Sequence, residues 1–223
     1  VPARSGSRFG AIFDWDGVIL DSSRHHEESW ERLARETGLV LPPGHFLKGF
    51  GMKNEAIIPG ILGWTRDDAE IRKLSLRKEE LYRDILRERN IEPLPGVPEF
   101  LLRLEEAGIP CVIGSSTHRL NIETSLDLLG LRRFFRAIVS AEDVRHGKPD
   151  PEVFLLAAAA LGRPPAECIV FEDAPVGIEA ALAGGMRAVG VATTHGGHAL
   201  ARAHAVAGRL DALDIRALEA LVG

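Results

Sequence analysis

Short apolar runs recur along the chain at Phe9–Phe13, Pro110–Gly114, Ala137–Val139, Ile169–Phe171 and Ala188–Val191. Between them lie segments whose apolar positions repeat at the helical period. Apolar runs without polar alternation are strands buried on both faces, and their alternation with helices predicts a parallel sheet covered on each side. The expected fold class is α/β, with a Rossmann-like, doubly wound parallel sheet as the core. Ligands of such sheets bind beyond the C-terminal strand ends, so the polar residues that close each run are the ones to inspect.

One stretch breaks the alternation. Residues 22–94 hold no convincing strand, while Arg24–Thr37, Lys53–Leu62 and Arg66–Asn90 carry helical patterns. This predicts an all-helical cap domain, 22–94, inserted into a core of residues 1–21 and 95–223. Asp21-Ser22-Ser23 offers a helix cap at the entry, and the prolines of Pro93-Leu94-Pro95-Gly96 stop the last helix at the exit.

Composition narrows the function classes. The chain has 223 residues, enough for a large core, with 27 basic and 32 acidic side chains, and no basic stripe with interleaved aromatics. That excludes nucleic acid and anionic membrane as expected partners and points to small molecules. No apolar stretch approaches the roughly 20 residues of a membrane span, so a cytoplasmic location is expected; the chain is separately expected to be a monomer. Cys111 and Cys168, each beside apolar residues, read as buried free thiols. Val1–Ser7 reads as a trimmed start and is set aside.

Four strand ends carry chemistry. The first closes in Asp14-Trp15-Asp16-Gly17, two carboxylates on one side of an extended backbone. Their repulsion suits a nucleophile, a general acid and a hard cation in one pocket; a solvated acidic loop is the plainer alternative. After the second run, Gly114-Ser115-Ser116-Thr117 is either a phosphate-binding turn or an ordinary helix cap. Gly147-Lys148-Pro149-Asp150-Pro151 fixes a lysine between structural breakers, where it can neutralise a phosphoryl group and a nucleophile together; a surface turn is the alternative. Glu172-Asp173 closes the fourth run, and oxygen-only ligands from Asp14 and this pair favour Mg²⁺.

Taken together, Asp14-Trp15-Asp16-Gly17, Ser115, Lys148 and Glu172-Asp173 resemble, in order and spacing, the four motifs of the haloacid dehalogenase superfamily. The resemblance runs from Phe9 onward and is to the branch with a helical cap after the first strand, near the β-phosphoglucomutase-like hydrolases. It implies Asp14 as nucleophile, Asp16 as general acid and base, Ser115 as the phosphate-binding hydroxyl and Lys148 as the cation pairing nucleophile with phosphate. It further implies Mg²⁺ held by Asp14, Glu172, Asp173 and the main-chain carbonyl of Asp16. Dehalogenation is a poor reading, because Asp16, Glu172 and Asp173 argue for phosphoryl chemistry. A phosphonatase would need a Schiff-base lysine in the cap, for which Lys53 and Lys78 are available.

The expected activity is therefore hydrolysis of a small phosphorylated metabolite through an aspartyl-phosphate. The phosphomutase is the first alternative and a catalytically silent binding protein the second. His26 and Lys78 stand where the mutase has substrate-side residues, but the loop Gly49–Glu55 offers Lys53 where the mutase has a cap arginine, and a lysine grips phosphate only as a point charge. That loop, with Trp64-Thr65-Arg66-Asp67, also resembles family phosphatases including a type acting on ribitylamino-uracil phosphate. Ser116, Thr117, His26, Lys53, Lys78, His118 and Arg119 complete the expected substrate contacts. His25, in the first cap helix, reads as facing solvent or the hinge, and His195 and His198 read as a polar loop, because no zinc-ligand spacing accompanies those two.

Overall fold

A computed structural model describes residues 9–49 and 52–223. Val1–Ser7 lie outside the described residues, as do Phe50 and Gly51 of the loop around Lys53. The chain divides into two compact units, residues 22–91 and the remainder.

The larger unit is the expected doubly wound sheet. Its strands are β1 Gly10–Phe13, β2 Cys111–Gly114, β3 Phe135–Val139, β4 Cys168–Glu172, β5 Arg187–Val191 and β6 Ala205–Ala207, in the order β3-β2-β1-β4-β5-β6. All neighbours are parallel. β1, β2 and β4 are buried throughout, which is why they are uninterrupted apolar runs. Side chains leave β1 alternately to the two faces. On one face, Phe13 stacks on Phe171 at 4.6 Å, with Phe100 of helix Val97–Glu106 edge-on to both. On the other, Ile12, Val112 and Val170 pack against Val153, Phe154 and Ala157 of helix Glu152–Leu161. β6 escapes the sequence pattern because it is a half-covered, three-residue edge strand with a single β-branched residue.

Register aligns the site. Phe13 lies opposite Ile113 on one side and Phe171 on the other, so the turns after β1, β2 and β4 emerge together at one sheet edge. This is the switch point: β2 and β3 extend the sheet on one side of β1, and the chain then crosses over to add β4, β5 and β6 on the other.

Residues 22–91 form a helical unit of their own. Helix Ser23–Thr37 packs along helix Asp68–Glu88, whose N-terminus is capped by the Asp67 side chain accepting from the Glu70 N–H at 2.9 Å. Trp30, Leu33, Ile57, Ile58, Leu62, Ile71, Leu74 and Leu81 make its core. A short helix, His45–Gly49, was not foreseen. The expected helix Lys53–Leu62 is α-helical at Asn54–Ile57 and π-helical at Ile58–Leu62; Pro59 has no N–H for the α-helical ladder, so the register slips there. Ser22 stands at the N-cap of the first helix, but its side chain makes no capping bond. Beyond residue 91, Leu94 is tied to the turn after β1 by its N–H donating to the Ile19 carbonyl at 2.8 Å.

Both cysteines are free and buried, and burial pushes their thiols up, Cys111 to about 12 and Cys168 to about 11. Among the described residues no helix is long and apolar enough to cross a membrane.

Candidate active site

Asp14 follows β1 directly, its N–H donating to the Phe171 carbonyl at 3.0 Å, so the sheet pairing carries on into the acid. The chain then doubles back within six residues. Ile19 N–H donates to the Trp15 carbonyl at 2.9 Å and Gly17 N–H to the Leu20 carbonyl at 2.9 Å, while Trp15 is fully buried.

Lys148 bridges the two acid-bearing strand ends. Its ammonium lies 3.0 Å from Asp14 Oδ1 and donates to Glu172 Oε2 at 2.7 Å, over the face of Phe154. The Lys148–Pro149 peptide is cis. Burial alone would push this ammonium down, but the charges of Asp14 and Glu172 outweigh it and hold the lysine above its usual range. It is therefore a permanent cation at this site.

Glu172 and Asp173 close β4 and are buried at 1% and 3% exposure, against 8% for Asp14. Glu172 Oε1 accepts from the N–H groups of Asp173 and Ala174. Burial first, and then the charge of Asp14, raise Glu172 well above the carboxylate range. The same two causes push Asp173 up to about 6, against a hydrogen bond from Thr194. Ligand oxygens of Asp14, Glu172 and Asp173 all lie within 4.8 Å of one another. Three buried carboxylates around one ammonium leave an excess of negative charge that protons or a cation must balance. An all-oxygen donor set of this size fits a hard divalent ion.

Two glycines make room for these acids. A Cβ on Gly17, whose φ is +75°, would sit 2.0 Å from Asp173 Oδ2, and one on Gly177 would sit 2.0 Å from Glu172 Cδ. The sequence pattern Asp-Gly after β1 and Gly177 after β4 is thus a steric requirement of the carboxylate pair.

The turn after β2 supplies hydroxyls. Ser115 is buried, with its N–H donating to the Val139 carbonyl at 2.9 Å and its Oγ accepting from the Thr117 N–H at 3.3 Å. Ser116 is half-buried beside it. Thr117 does something the sequence did not show: its hydroxyl donates to Asp16 Oδ2, joining the β1 and β2 turns. His118 and Arg119 are held by the segment after β3. His118 Nδ1 lies 3.1 Å from Glu142, and the Arg119 guanidinium reaches Asp143 and the Ile138 carbonyl.

Within the helical unit, two expected residues, 52 positions apart, meet. Lys78 Nζ lies 2.8 Å from His26 Nδ1 and donates to Glu79 Oε1 at 3.0 Å. His26 stacks on Tyr82 at 4.0 Å, and Asn54 donates to the same Glu79 oxygen at 2.6 Å. A lysine has only donors, so His26 Nδ1 accepts and its proton sits on Nε2. Lys53, by contrast, is exposed, immediately before the helix that begins at Asn54.

The model of the haloacid dehalogenase-like hydrolase family matches residues 10–185, which takes in all four strand-end motifs. The chain belongs to the haloacid dehalogenase-like hydrolases. It is 40% identical over 218 residues to the chloroplastic 5-amino-6-(5-phospho-D-ribitylamino)uracil phosphatase of Arabidopsis thaliana. That match covers 95% of this chain but spans only 57% of the plant protein's length. It is 36% identical over 182 residues to a fructose-1-phosphate phosphatase of Escherichia coli (strain K12), covering 82% of this chain and 95% of the relative. In three dimensions this haloacid dehalogenase-like hydrolase resembles the β-phosphoglucomutase of Clostridium difficile, with a TM-score of 0.83, 27% identity and 96% of each chain covered.

Sequence reasoning missed the loop after β5. Thr193 donates to the Gly17 carbonyl, Thr194 to the Asp173 carboxylate, and His195 Nδ1 lies 3.1 Å from the Asp173 carbonyl. The signal was its place at a C-terminal strand end. Zinc-ligand spacing has no bearing on the contact that His195 makes, which is to a main-chain carbonyl.

Proposed function

We propose that the chain is a Mg²⁺-dependent phosphatase of a small phosphorylated metabolite, acting through an aspartyl-phosphate on Asp14. The observation that carries this reading is Lys148 bridging Asp14 and Glu172 beside Asp173. A carboxylate so placed is held in position by a cation 3.0 Å away that can accompany it onto phosphorus.

The reaction divides into two displacements. A carboxylate oxygen of Asp14 attacks phosphorus, the bond from phosphorus to the ester oxygen breaks, and Asp16 gives that oxygen its proton. Asp16 then takes a proton from water as the water attacks the same phosphorus, and the Asp14–phosphate bond breaks to release inorganic phosphate. Thr117, bonded to Asp16, orients that acid. Ser115 and the backbone of its turn bind the phosphoryl oxygens, with Ser116, His118 and Arg119 bordering them. Lys148 neutralises charge that develops between nucleophile and phosphate. Asp14, Glu172, Asp173 and the Asp16 carbonyl would hold Mg²⁺, which when bound supplies charge neutralisation of the phosphoryl group.

The helical unit serves in this reading as the cap that selects the substrate, with Lys78 and His26 as one preassembled pair and Lys53 as an exposed point charge. The plant and bacterial relatives act on a ribitylamino-uracil phosphate and a sugar phosphate, which supports a substrate of that kind, with a polyol phosphate as the related choice. The phosphomutase stands second, favoured by the His26–Lys78 contact and the likeness to the clostridial mutase. Inorganic phosphate release from a panel of these esters, with Mg²⁺ or with EDTA, separates the two. Metal-dependent phosphate release is expected, abolished by EDTA; glucose 6-phosphate formed from β-glucose 1-phosphate without phosphate release would make the chain a mutase instead. No turnover of any ester would favour a binding protein.

The raised acids add a pH test. An acid whose folded-state pKa lies above its unfolded value weakens the fold as pH rises through the interval between them, here from the ordinary carboxylate range to about 6 for Asp173. Above that interval the deprotonated cluster is free to take Mg²⁺, and the ion offsets the repulsion. Stabilisation by a fixed Mg²⁺ concentration, measured as a shift in melting temperature, is therefore expected to be small at pH 5 and several-fold larger at pH 7.5. A shift independent of pH would argue against these carboxylates as the ligands.

A further inference from the structure

The loop leaving β5 grips both acid-bearing turns. It starts from a fixed base, with Ala192 N–H donating to the Ala207 carbonyl of β6 at 2.8 Å and Thr193 N–H to the Val191 carbonyl at 2.9 Å. From there the Thr193 hydroxyl reaches the Gly17 carbonyl in the turn after β1. The Thr194 hydroxyl donates to the Asp173 carboxylate after β4. His195 Nδ1 lies 3.1 Å from the Asp173 main-chain carbonyl, which can only accept, so the ring carries its proton on Nδ1. The three turns interlock at one point: the missing Cβ of Gly17 would sit 2.0 Å from Asp173 Oδ2 and 2.6 Å from Thr194 Oγ1.

We propose that Thr193, Thr194 and His195 are positioning residues that hold Asp173 in its cation-binding orientation, and that this loop sets the affinity for the divalent ion rather than the rate of the chemical step. The proposal rests on the reading of Asp173 as a Mg²⁺ ligand. Each contact suits the task. A hydroxyl is a neutral donor that occupies one lone pair of the carboxylate and leaves the others for the ion. His195 acts on the backbone, fixing the residue and not its charge, and Thr193 holds the turn that carries the other acids. Partners of this kind, hydrogen-bonded behind a ligand, typically govern metal affinity by 10- to 100-fold.

The test is isothermal titration of Mg²⁺ alone into the full chain and its Thr194→Val, His195→Ala and Asp173→Asn variants, with Thr194→Ser and His195→Asn as substitutions that keep a donor. Circular dichroism melting establishes that each variant is folded. Thr194→Val and His195→Ala are each expected to weaken Mg²⁺ binding about 10-fold, with Thr194→Ser and His195→Asn recovering most of the loss. The Mg²⁺ concentration giving half-maximal phosphate release should rise in parallel, and turnover should return at saturating Mg²⁺. If Asp173→Asn loses Mg²⁺ binding while Thr194→Val and His195→Ala bind it as tightly as the parent, the loop proposal falls and the metal site stands. Undiminished binding by Asp173→Asn would overturn both. Weakened binding that the donor-keeping variants fail to recover would assign the loop a structural role only.

Discussion

Asp14→Asn is expected to lower phosphate release by on the order of 10⁴-fold or more, the scale seen when a residue that forms the covalent bond is removed. The amide keeps the shape of the carboxylate but is too poor a nucleophile to form the acyl phosphate. The fold should not suffer. Lys148 keeps Glu172 at 2.7 Å, and the variant loses a charge that raises both Glu172 and Asp173 in the native chain. The melting temperature of the metal-free variant is therefore expected to equal or exceed that of the parent. Intact-mass measurement after mixing with substrate should show no phosphorylated chain, and turnover near the parental rate would remove Asp14 from the nucleophile's role.

The second large effect is expected from Gly177→Ala, which adds a single methyl group. Its Cβ would stand 2.0 Å from Glu172 Cδ, in a place where nothing can give way cheaply. Glu172 is held by Lys148 and by two backbone N–H groups, and it is almost completely buried. Forcing it aside leaves the acid buried but takes it from its lysine and its two backbone donors, whereas Asp14→Asn removes a buried charge outright; breaking a buried pair in this way typically costs about 3 kcal/mol or more. For a chain of this size that is a fall in melting temperature of roughly 6–12 °C. Because the displaced group is one of the three clustered acids, Mg²⁺ affinity should fall by about 10- to 100-fold as well. Calorimetric melting with and without Mg²⁺ reads both effects at once. A variant that melts and binds Mg²⁺ like the parent would show that Glu172 has somewhere else to go.

Much of the molecule was legible before any coordinates. Central strands of a doubly wound sheet must be apolar on both faces, so β1, β2 and β4 announce themselves as unbroken runs, and the acids and hydroxyls that end them stand out by contrast. The edge strand β6, three residues long and half-covered, has no such signature. The change to π-helix at Ile58–Leu62 is likewise a local accommodation around Pro59 that periodicity does not resolve.

The site divides along similar lines. Chain order alone placed Asp14, Asp16, Ser115, Glu172 and Asp173 in the turns that follow strands, because local sequence dictates where a strand stops and which residue follows; Lys148 instead lies in the longer connection between β3 and the helix Glu152–Leu161. Which groups then touch is a matter of register and turn geometry between segments far apart in the chain. Only the folded structure joins Thr117 to Asp16, Lys78 to His26 and the Thr193–His195 loop to Asp173. These contacts depend on how strand ends and helices lie against each other, for which no periodicity along the sequence is required. The sequence by itself determined the α/β class, the order of the strand-end motifs and the chemical kinds of residue they present. Tertiary structure alone decided that Asp14, Glu172 and Asp173 lie within 4.8 Å of one another, that Lys148 bridges the first two, and that glycine is demanded at 17 and 177. The physical reason is that like charges are brought together and buried only where the whole sheet edge supplies the cation, the backbone donors and the empty space that such a cluster needs.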